Sequence, residues 1–368
     1  MVAVGALALS ACGSNPSTGG TGGTGGTGGG ATGAAPAGPA VACGGKKDLT
    51  AEGSTAQKNA IDVFIQAYQQ KCAGQNLAYN ATGSGAGVKQ FNAGLVDFGG
   101  SDSALKDPTE TTAAATRCKG NEAWNLPMVF GPIAVVYNLA GTSNLVLNGQ
   151  VLGKIFNGQI KTWNDPAIAA LNTGATLPSE PINVIFRSDE SGTTDNFQKY
   201  LTAASQGAWT QGAGKKFAGG VGSGAAASAG VAQAVKNTTG AIAYAELSYA
   251  QDSKLSMAQL NTGNGPVPLN NDTVGKSIES AKVTGTGNDL RLDLQSVYAE
   301  STPGAYPLIL ATYELVCLKG YTPDVSQAVK AFLTTAATDG QAQLAEAGYA
   351  PLPDSFKQKL LTAISAIS

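Results

Sequence analysis

Histidine is absent from the 368 residues of this chain, which excludes Ser-His-Asp or Cys-His catalysis and any histidine-ligated metal. Charged residues are scarce at 13% and the net charge is −2, so the sequence lacks the basic patch typical of nucleic-acid binding. After the first residues, no run is long and apolar enough to span a bilayer. The length is enough for two domains of ordinary size, and the 43% of hydrophobic residues predicts a globular core.

The N-terminus has the features of an export signal with a lipid attachment site. Residues 2–9 are small and apolar, and residues 9–12 (LSAC) resemble the lipobox of bacterial lipoproteins, whose cysteine becomes the lipidated first residue. No lysine or arginine precedes the apolar run, and a chance apolar start is the alternative. We expect residues 1–12 to form a signal peptide with a lipid-modified Cys12, anchoring the protein on the extracytoplasmic face of the cell membrane.

Residues 13–44 have the composition of a tether. Glycine, threonine, alanine and serine dominate residues 13–39, and such a segment cannot bury a core. A flexible chain of roughly 30 residues has an end-to-end distance of about 30 Å. We therefore expect a disordered tether that holds a domain just off a membrane surface while letting it turn.

Four further cysteines, an even number in an exported chain, suggest disulfide bonds. The sequence alone allows three pairings. We favour Cys43 with Cys72, because a strand and a returning helix would bring both to one end of a domain, and this leaves Cys118 with Cys317. Four free buried thiols are the alternative. No Cys-x-x-Cys pair is present, so we predict neither a metal site nor a cofactor.

Short apolar strands alternate with helical periodicities along most of the chain after the tether, and residues 325–367 are largely helical in pattern. This alternation predicts an α/β protein with mostly parallel sheets. Residues 152–168 predict two helices joined by a turn. Residues 215–230, rich in glycine and alanine, predict a long surface loop that leads to a short helix.

Residues 187–194 (RSDESGTT) have the features of an anion site. They follow an apolar, strand-like run at residues 182–186 and precede a helix-like run at residues 195–201. The first N–H groups of a helix lack intrahelical partners, and the helix dipole favours negative charge there. Arg187 adds a planar, charged fork suited to an oxyanion. An ordinary helix cap beside a surface Arg–Asp pair is the alternative.

Three earlier turns belong with this stretch. Residues 52–56 (EGSTA) and 82–87 (TGSGAG) each lead from a strand into a helix, and their glycines let the backbone approach a ligand closely. Neither is a Walker A loop. Residues 97–102 (DFGGSD) end a short strand in a carboxylate, which in isolation is typical of a helix cap or turn. Beside three helix N-termini, Asp102 would instead repel a fully ionised anion and accept a hydrogen bond from a protonated one.

Taken together, these stretches resemble the periplasmic or lipid-anchored phosphate-binding protein of bacterial phosphate ABC transporters. The resemblance covers most of the chain, from about Leu49 to about Leu352, and the form with cysteines and a lipobox resembles the actinobacterial branch. Its landmarks, in order, are residues 53–55 (GST), 83–90 (GSGAGVKQ), 96–102 (VDFGGSD), 160–166 (IKTWNDP), 187–193 (RSDESGT) and 240–244 (GAIAY).

The resemblance implies a two-lobed periplasmic solute-binding protein fold of type II, with the ligand in the cleft between the lobes. The chain of this family crosses between the lobes twice. We place the crossings near residues 127–132 and 306–310, which makes residues 45–130 plus 308–368 lobe I and residues 131–307 lobe II.

The resemblance also implies a function: high-affinity binding of inorganic phosphate outside the cytoplasmic membrane and its delivery to an ABC permease with its ATPase. The protein would be a monomer, would not be an enzyme and would not bind nucleic acid. Asp102 would accept the phosphate proton, and Arg187, held by Asp189, would pair with the anion. The family often has a larger apolar residue where Ala56 stands. The resemblance therefore does not determine how the cleft packs at this position. The other implied ligands of phosphate are Ser54, Thr55, Ala56, Ser84, Ser191, Gly192 and Thr193.

Two other functions are alternatives. The same fold could bind another oxyanion such as sulfate, but sulfate is fully ionised and has no proton for Asp102. A secreted phosphatase or other hydrolase could use Ser84 or Ser191, although neither has a histidine or an evident lysine base within a motif.

Overall fold

The structure is a computed structural model that describes residues 40–299 and 302–368. The signal peptide with Cys12, and the tether up to residue 39, lie outside the described residues. Over the ranges that are described, no helix combines the length and apolar character needed to cross a membrane. Within the same ranges, cysteine, aspartate and glutamate side chains form no group of three or more that could hold a metal ion.

Strands and helices alternate through most of the described chain, as the sequence predicts. The strands are β1 (Asp48–Gly53), β2 (Asn76–Ala81), β3 (Phe98–Ser101), β4 (Ala123–Asn138), β5 (Val146–Leu147), β6 (Asn183–Arg187), β7 (Ser223–Ala225), β8 (Ala241–Glu246), β9 (Ser256–Met257), β10 (Gln259–Asn261), β11 (Pro266–Val267), β12 (Lys282–Val283), β13 (Leu292–Asp293) and β14 (Ile309–Cys317). The helices are α1 (Lys58–Lys71), α2 (Ser84–Asn92), α3 (Thr109–Arg117), α4 (Gly149–Phe156), α5 (Pro166–Ala169), α6 (Gly192–Ala204), α7 (Ala227–Asn237), α8 (Leu247–Asp252), α9 (Asn271–Ser280), α10 (Leu294–Ala299), α11 (Pro323–Ala337) and α12 (Asp354–Ser365).

The main sheet is mixed and has the strand order β2-β1-β3-β14-β4-β8-β6-β7. Its outer pairs, β1 with β2 and β3, and β6 with β7 and β8, are parallel. At its centre β14 is antiparallel to β3 and β4, and β4 is antiparallel to β8. The prediction of mostly parallel sheets is therefore wrong at the centre, because the chain leaves along β4 and returns along β14 in the opposite direction.

Strand β4 is 16 residues long and joins the two halves of this sheet, one on the β14 side and one on the β8 side. Residues 123–132 pair with β14, whereas residues 133–138 pair with β8. The change of partner comes directly after the range in which the sequence places the first crossing between lobes. All residues of β4 except the two terminal ones are buried, which explains why the strand is a continuous apolar run rather than an alternating one.

Aromatic side chains from α1, β3 and α11 pack against one another. The Tyr68 ring meets the Phe332 ring edge-on at 5.4 Å, and Phe98 stacks on Phe332 at 5.5 Å. Phe64 lies one helical turn before Tyr68 and is also buried. The helical spacing in the sequence therefore marks the face that α1 buries.

A second aromatic group fixes the start of α6. Phe197 stacks on Tyr244 of β8 at 4.4 Å, and Phe156 of α4 meets Phe197 edge-on at 4.7 Å. The Tyr244 hydroxyl lies 2.8 Å from the Thr194 hydroxyl and accepts a hydrogen bond from the Arg187 backbone N–H at 3.2 Å. Core packing thus holds both Arg187 and the first turn of α6.

Both disulfide pairings favoured from the sequence are confirmed. Cys43 is bonded to Cys72 and Cys118 to Cys317, with Cα atoms 5.4 Å apart in each pair. The first bond ties the segment before β1 to the end of α1, and the second ties the end of α3 to the end of β14. Each is expected to stabilise the fold by about 2–4 kcal/mol, since both close long loops.

Two local predictions need correction. The second helix predicted within residues 152–168 is a single turn, α5, capped by Asp165, whose Oδ1 accepts from the Ala167 N–H at 2.8 Å. The loop predicted at residues 215–230 contains β7, which pairs in parallel with β6. Glycine and alanine give little strand signal, and the pairing with β6 overrides their propensity.

Candidate anion-binding site

Asp102 follows β3 directly and is the centre of a cluster of hydroxyl groups. It is 2% exposed. Its Oδ1 accepts hydrogen bonds from Ser54 Oγ at 2.5 Å and Thr312 Oγ1 at 2.7 Å, and its Oδ2 accepts from Ser84 Oγ at 3.0 Å. The turn after β1, the first residue of α2 and the central strand β14 therefore each supply one donor to the carboxylate.

Burial raises the pKa of Asp102 to about 6. The hydrogen bonds from Ser54, Thr312 and Ser84 favour the charged form and oppose this rise, while the charge of Glu246 adds to it. Asp102 is therefore mostly ionised at neutral pH. Because its neighbours are neutral hydroxyls rather than cations, it keeps the capacity to accept a proton-bearing ligand.

The N-terminus of α6 lies against this carboxylate. Ser191 caps the helix, and its Oγ accepts from the Thr194 N–H at 3.3 Å. A Cβ on Gly192 would stand 2.5 Å from Asp102 Cβ and 2.7 Å from Ser84 Oγ, so only glycine allows this approach. The first N–H groups of α6, with the positive end of its dipole, thus face the Asp102 cluster.

Arg187 ends β6 and is buried, at 3% exposed. Its guanidinium makes a two-pronged contact with Asp189: Nε donates to Oδ1 at 2.8 Å, and Nη2 donates to Oδ2. A third bond runs from Arg187 Nη1 to Ser228 Oγ at 3.2 Å. Asp189 also accepts from the Ala227 N–H at 3.0 Å, which fixes the carboxylate that orients the guanidinium.

This pairing keeps both side chains charged. Burial acts to lower the pKa of Arg187, but the hydrogen bond and charge of Asp189 hold it above its usual value. Burial acts to raise the pKa of Asp189, yet the hydrogen bond and charge of Arg187 leave it below its usual range. The pair is nearly neutral as a unit and retains donors on the guanidinium.

One contact joins the Arg187 pair to the turn after β1. Thr55 Oγ1 lies 2.8 Å from Ser228 Oγ and accepts from the Ser228 N–H at 3.3 Å. Thr55 is the neighbour of Ser54, which bonds Asp102. The structure therefore brings the predicted site residues together. Asp189 is partly exposed beside Arg187, and the others are buried: Ser54, Thr55, Ala56, Ser84, Asp102, Arg187, Ser191, Gly192 and Thr193.

Three further predicted residues, like Ser54 and Ser84, turn a polar group to a protein partner. The Ala56 N–H donates to Ser54 Oγ at 3.0 Å, and the Ser191 hydroxyl serves as the cap of α6. The Thr193 hydroxyl donates to Glu246 Oε1. Their backbone positions agree with the prediction, but these groups would have to share or exchange partners to contact a ligand.

The sequence analysis missed three polar residues of the cluster: Ser228, Glu246 and Thr312. Ser228 stands near the start of α7, within the glycine- and alanine-rich stretch of residues 215–230 that the sequence predicts to be a loop. Glu246 ends β8 and is 1% exposed, and its Oε2 has no hydrogen-bond partner. Thr312 is a hydroxyl residue inside the apolar run of β14. A polar residue within an otherwise buried strand was the available signal for Thr312.

The cluster combines many donors with the buried carboxylate of Asp102, which three hydroxyl groups surround. Hydroxyl groups, a guanidinium and a helix N-terminus can each donate to an oxyanion, and Asp102 can only accept while it is ionised. Such a set fits a tetrahedral oxyanion that still carries a proton.

A PBP superfamily domain matches residues 21–339, and the chain belongs to this superfamily. It is 54% identical over 371 residues to the phosphate-binding protein PstS 3 of Mycobacterium tuberculosis, covering 100% of this chain and 97% of that one. It is 33% identical over 334 residues to the phosphate-binding protein PstS of Methanocaldococcus jannaschii, covering 86% and 85% of the two chains. The family predicted from the sequence is confirmed.

Solved structures confirm the fold. A high-affinity periplasmic phosphate-binding protein with bound phosphate (PfluDING) superposes with a TM-score of 0.68 at 22% identity, covering 86% of this chain and 93% of that one. A phosphate-binding protein from Stenotrophomonas maltophilia gives a TM-score of 0.65 at 20% identity, with coverage of 86% and 94%. The described chain thus has the two-lobed fold, while the lobe boundaries given above stay a prediction.

Proposed function

We propose that this protein binds inorganic phosphate with high affinity outside the cytoplasmic membrane and delivers it to an ABC permease for import. The observation that carries this proposal is the environment of Asp102, a buried carboxylate met by three hydroxyls and a helix N-terminus. The names of its relatives, which are phosphate-binding proteins, support the same ligand.

Asp102 sets the specificity. It accepts the proton of HPO₄²⁻ or H₂PO₄⁻, whereas sulfate has no proton and would leave two anions facing each other. A buried polar group left without its partner can discriminate by about 10⁴-fold. This role requires Asp102 to be ionised, in keeping with its pKa of about 6.

The other residues supply affinity. Arg187, held by Asp189, pairs with the anion, and the N–H groups of Gly192 and Thr193 bind it at the start of α6. Ser54, Thr55, Ser84 and Ser191 add hydroxyl donors, and the Ala56 N–H adds a backbone donor. Because the net charge of the chain is −2, local donors and dipoles rather than an overall positive field would hold the ligand.

The cleft would lie between lobe I, residues 45–130 plus 308–368, and lobe II, residues 131–307. Three contacts of the site already join the two: Thr55 with Ser228, Ser103 Oγ with Asp195 Oδ2 at 2.6 Å, and Asn196 Nδ2 with the Asp102 carbonyl at 2.6 Å. Closure would be a hinge motion about β4 and β14.

Calorimetric titration of the purified protein, stripped of ligand, tests the proposed ligand. We expect tight one-to-one binding of phosphate and no heat with sulfate. Binding of sulfate as tight as that of phosphate would favour a general oxyanion-binding protein. Turnover of a chromogenic phosphate ester, with no binding of free phosphate, would favour the hydrolase alternative.

Attachment to the membrane by lipid-modified Cys12, and delivery to a permease with its ATPase, are further parts of the proposal. Cys12→Ala should release the protein from the membrane fraction, with Ser14→Ala as a control that stays bound. If Cys12→Ala still partitions with detergent, the lipid anchor is refuted. Delivery predicts that cells lacking the gene take up less labelled phosphate, and that the wild-type chain restores uptake but Arg187→Ala does not.

A further inference from the structure

Glu314 of β14 is a buried carboxyl group behind the anion site. It is 1% exposed, and neither of its carboxyl oxygens makes a hydrogen bond of good geometry. The side-chain amide of Gln57 is the polar group within reach, and Asp102 is the charge that acts on it. An ionised carboxylate is strongly disfavoured in such a place unless it is paired, so the surroundings favour the neutral acid.

The position of Glu314 places it close to Asp102 along two strands. Glu314 pairs in register with Gly100 of β3, two residues before Asp102. Thr312, two residues before Glu314 in β14, donates to Asp102 Oδ1 at 2.7 Å. A Cβ on Gly100 would stand 2.4 Å from Gln57 Nε2 and 2.7 Å from the Tyr79 hydroxyl oxygen, so glycine makes room for both side chains here.

A chain of hydrogen bonds continues from this point to the anion site. Gln57 Nε2 donates to the Tyr79 hydroxyl at 3.1 Å, and that hydroxyl donates to the Ser54 carbonyl at 2.8 Å. Ser54 Oγ then donates to Asp102 Oδ1 at 2.5 Å. The Gln57 Oε1 atom is buried without a partner, so a protonated Glu314 can donate to it. An ionised Glu314 has no proton for Gln57 Oε1 and would repel that atom, which would turn the amide away from its place beside Tyr79.

We propose that Glu314 is a positioning residue of the phosphate site, held as a neutral carboxylic acid behind Asp102, and that its ionisation weakens phosphate binding. The inference rests on the proposed phosphate-binding function. The neutral acid adds no charge to the Asp102 side of the site and leaves Gln57, Tyr79 and Ser54 in place. An ionised Glu314 would repel the bound anion and disturb the hydrogen bonds that orient Ser54 towards Asp102.

The groups that face Glu314 agree with a neutral state. Burial raises the pKa of Glu314 to about 8; contact with Gln57 opposes this rise and the charge of Asp102 adds to it. Tyr79, on β2, has a pKa well above its usual value through burial and the charge of Glu314, so it stays neutral in the same range. On β4 the partner of Glu314 is the apolar Leu126. Glu314 therefore changes charge near pH 8, above the range in which Asp102 titrates.

The test compares phosphate dissociation constants of wild type and Glu314→Gln from about pH 6 to about pH 9.5. Glutamine keeps the shape of the neutral acid at every pH. The ratio of the wild-type dissociation constant to that of Glu314→Gln should be near one at the acid end. It should rise about tenfold at the alkaline end, where position 314 is ionised in wild type but not in the variant. The titration of phosphate itself is common to both proteins and cancels. Glu346→Gln changes an exposed glutamate and should give a flat ratio.

The outcomes separate the two proposals. A flat ratio for Glu314→Gln, with both proteins binding phosphate, would overturn the role of Glu314. Wild type that binds no phosphate at any pH would refute the proposed function itself. If Glu314→Gln does not fold, infrared spectroscopy of wild type decides: a protonated-carboxyl band at about pH 7 that is lost by about pH 9.5 supports the neutral acid, and its absence at about pH 7 overturns it.

Discussion

The site has two sides that bury charge in different ways. On the Asp102 side, defined by Ser54, Ser84, Asp102 and Thr312, a carboxylate is met by neutral hydroxyl groups. On the Arg187 side, defined by Arg187, Asp189 and Ser228, a guanidinium is paired with a carboxylate. The first side holds an uncompensated charge, whereas the second is nearly neutral.

This difference assigns the two sides different tasks. The pKa of Asp102 is raised to about 6 by burial, while Asp189, beside Arg187, has a lowered pKa. The Asp102 side therefore responds to protons and can distinguish a protonated anion from a fully ionised one. On the Arg187 side, both Arg187 and Asp189 stay ionised at ordinary pH values, and the guanidinium supplies attraction and orientation.

Removing the cation should have the largest effect on affinity. Arg187→Ala takes away the guanidinium and leaves the partly buried Asp189 without its partner, so we expect phosphate to bind about 100-fold more weakly. Calorimetric titration measures this change. Arg291→Ala removes an arginine from another ion pair and should leave the affinity unchanged. If Arg187→Ala binds as tightly as wild type, Arg187 does not belong to the phosphate site.

Proton linkage should differ between the two sides. Because folding raises the pKa of Asp102 from 3.8 to about 6, the folded state binds more protons in this range than the unfolded state. Without ligand, the free energy of unfolding should therefore decrease as the pH rises from about 4 to about 6. Asp102 contributes up to about 1.4 kcal/mol per pH unit to this decrease.

Denaturant unfolding as a function of pH measures this linkage. Asp102→Asn should make the fall between about pH 4 and about pH 6 less steep, since asparagine does not titrate, while Glu314, whose pKa burial also raises, still contributes in both proteins. Asp189→Asn should lower the free energy of unfolding but keep its decrease with pH. The pKa of Asp189 is lowered, so this group titrates below the pH 4–6 window. An equal slope in wild type and Asp102→Asn would mean that folding does not raise the pKa of Asp102.

The contact between the two sides should have the smallest effect. Ser228 bonds both Arg187 and Thr55, so Ser228→Ala removes one neutral hydroxyl that joins them. We expect phosphate to bind about threefold to tenfold more weakly, in line with the loss of one hydrogen bond. Ser223→Ala, at an exposed serine of β7, is the control. A larger loss than that of Arg187→Ala would contradict the role of the Arg187 guanidinium as the main source of affinity.

Much of this arrangement could be predicted from the sequence because it is local. A strand, a glycine- and hydroxyl-rich turn and a helix follow one another at Ser54, Ser84 and Ser191, and each turn carries its own signal. The confirmed disulfides followed from cysteine positions, and the two-lobed fold was implied by the family resemblance that these turns carry. Helix N-termini place ligands by backbone geometry, which short sequences largely determine.

The remainder depends on pairing between distant segments. Thr312 lies 210 residues from Asp102, and Ser228 lies 173 residues from Thr55. The same is true of the central antiparallel strands, since an apolar run does not reveal the direction of its neighbour. Glu314 was missed for this reason too: its partners come from β2, β3 and the turn before α1.

The ratio of phosphate to sulfate affinity in wild type and Asp102→Asn tests the central claim most directly. Both ligands are titrated at about pH 7.5, where Asp102 is ionised and sulfate carries no proton. We expect wild type to prefer phosphate by about 10⁴-fold or more and Asp102→Asn to reduce this preference at least about 100-fold. An unchanged preference in a folded Asp102→Asn protein would contradict the role of Asp102 as the acceptor that selects phosphate.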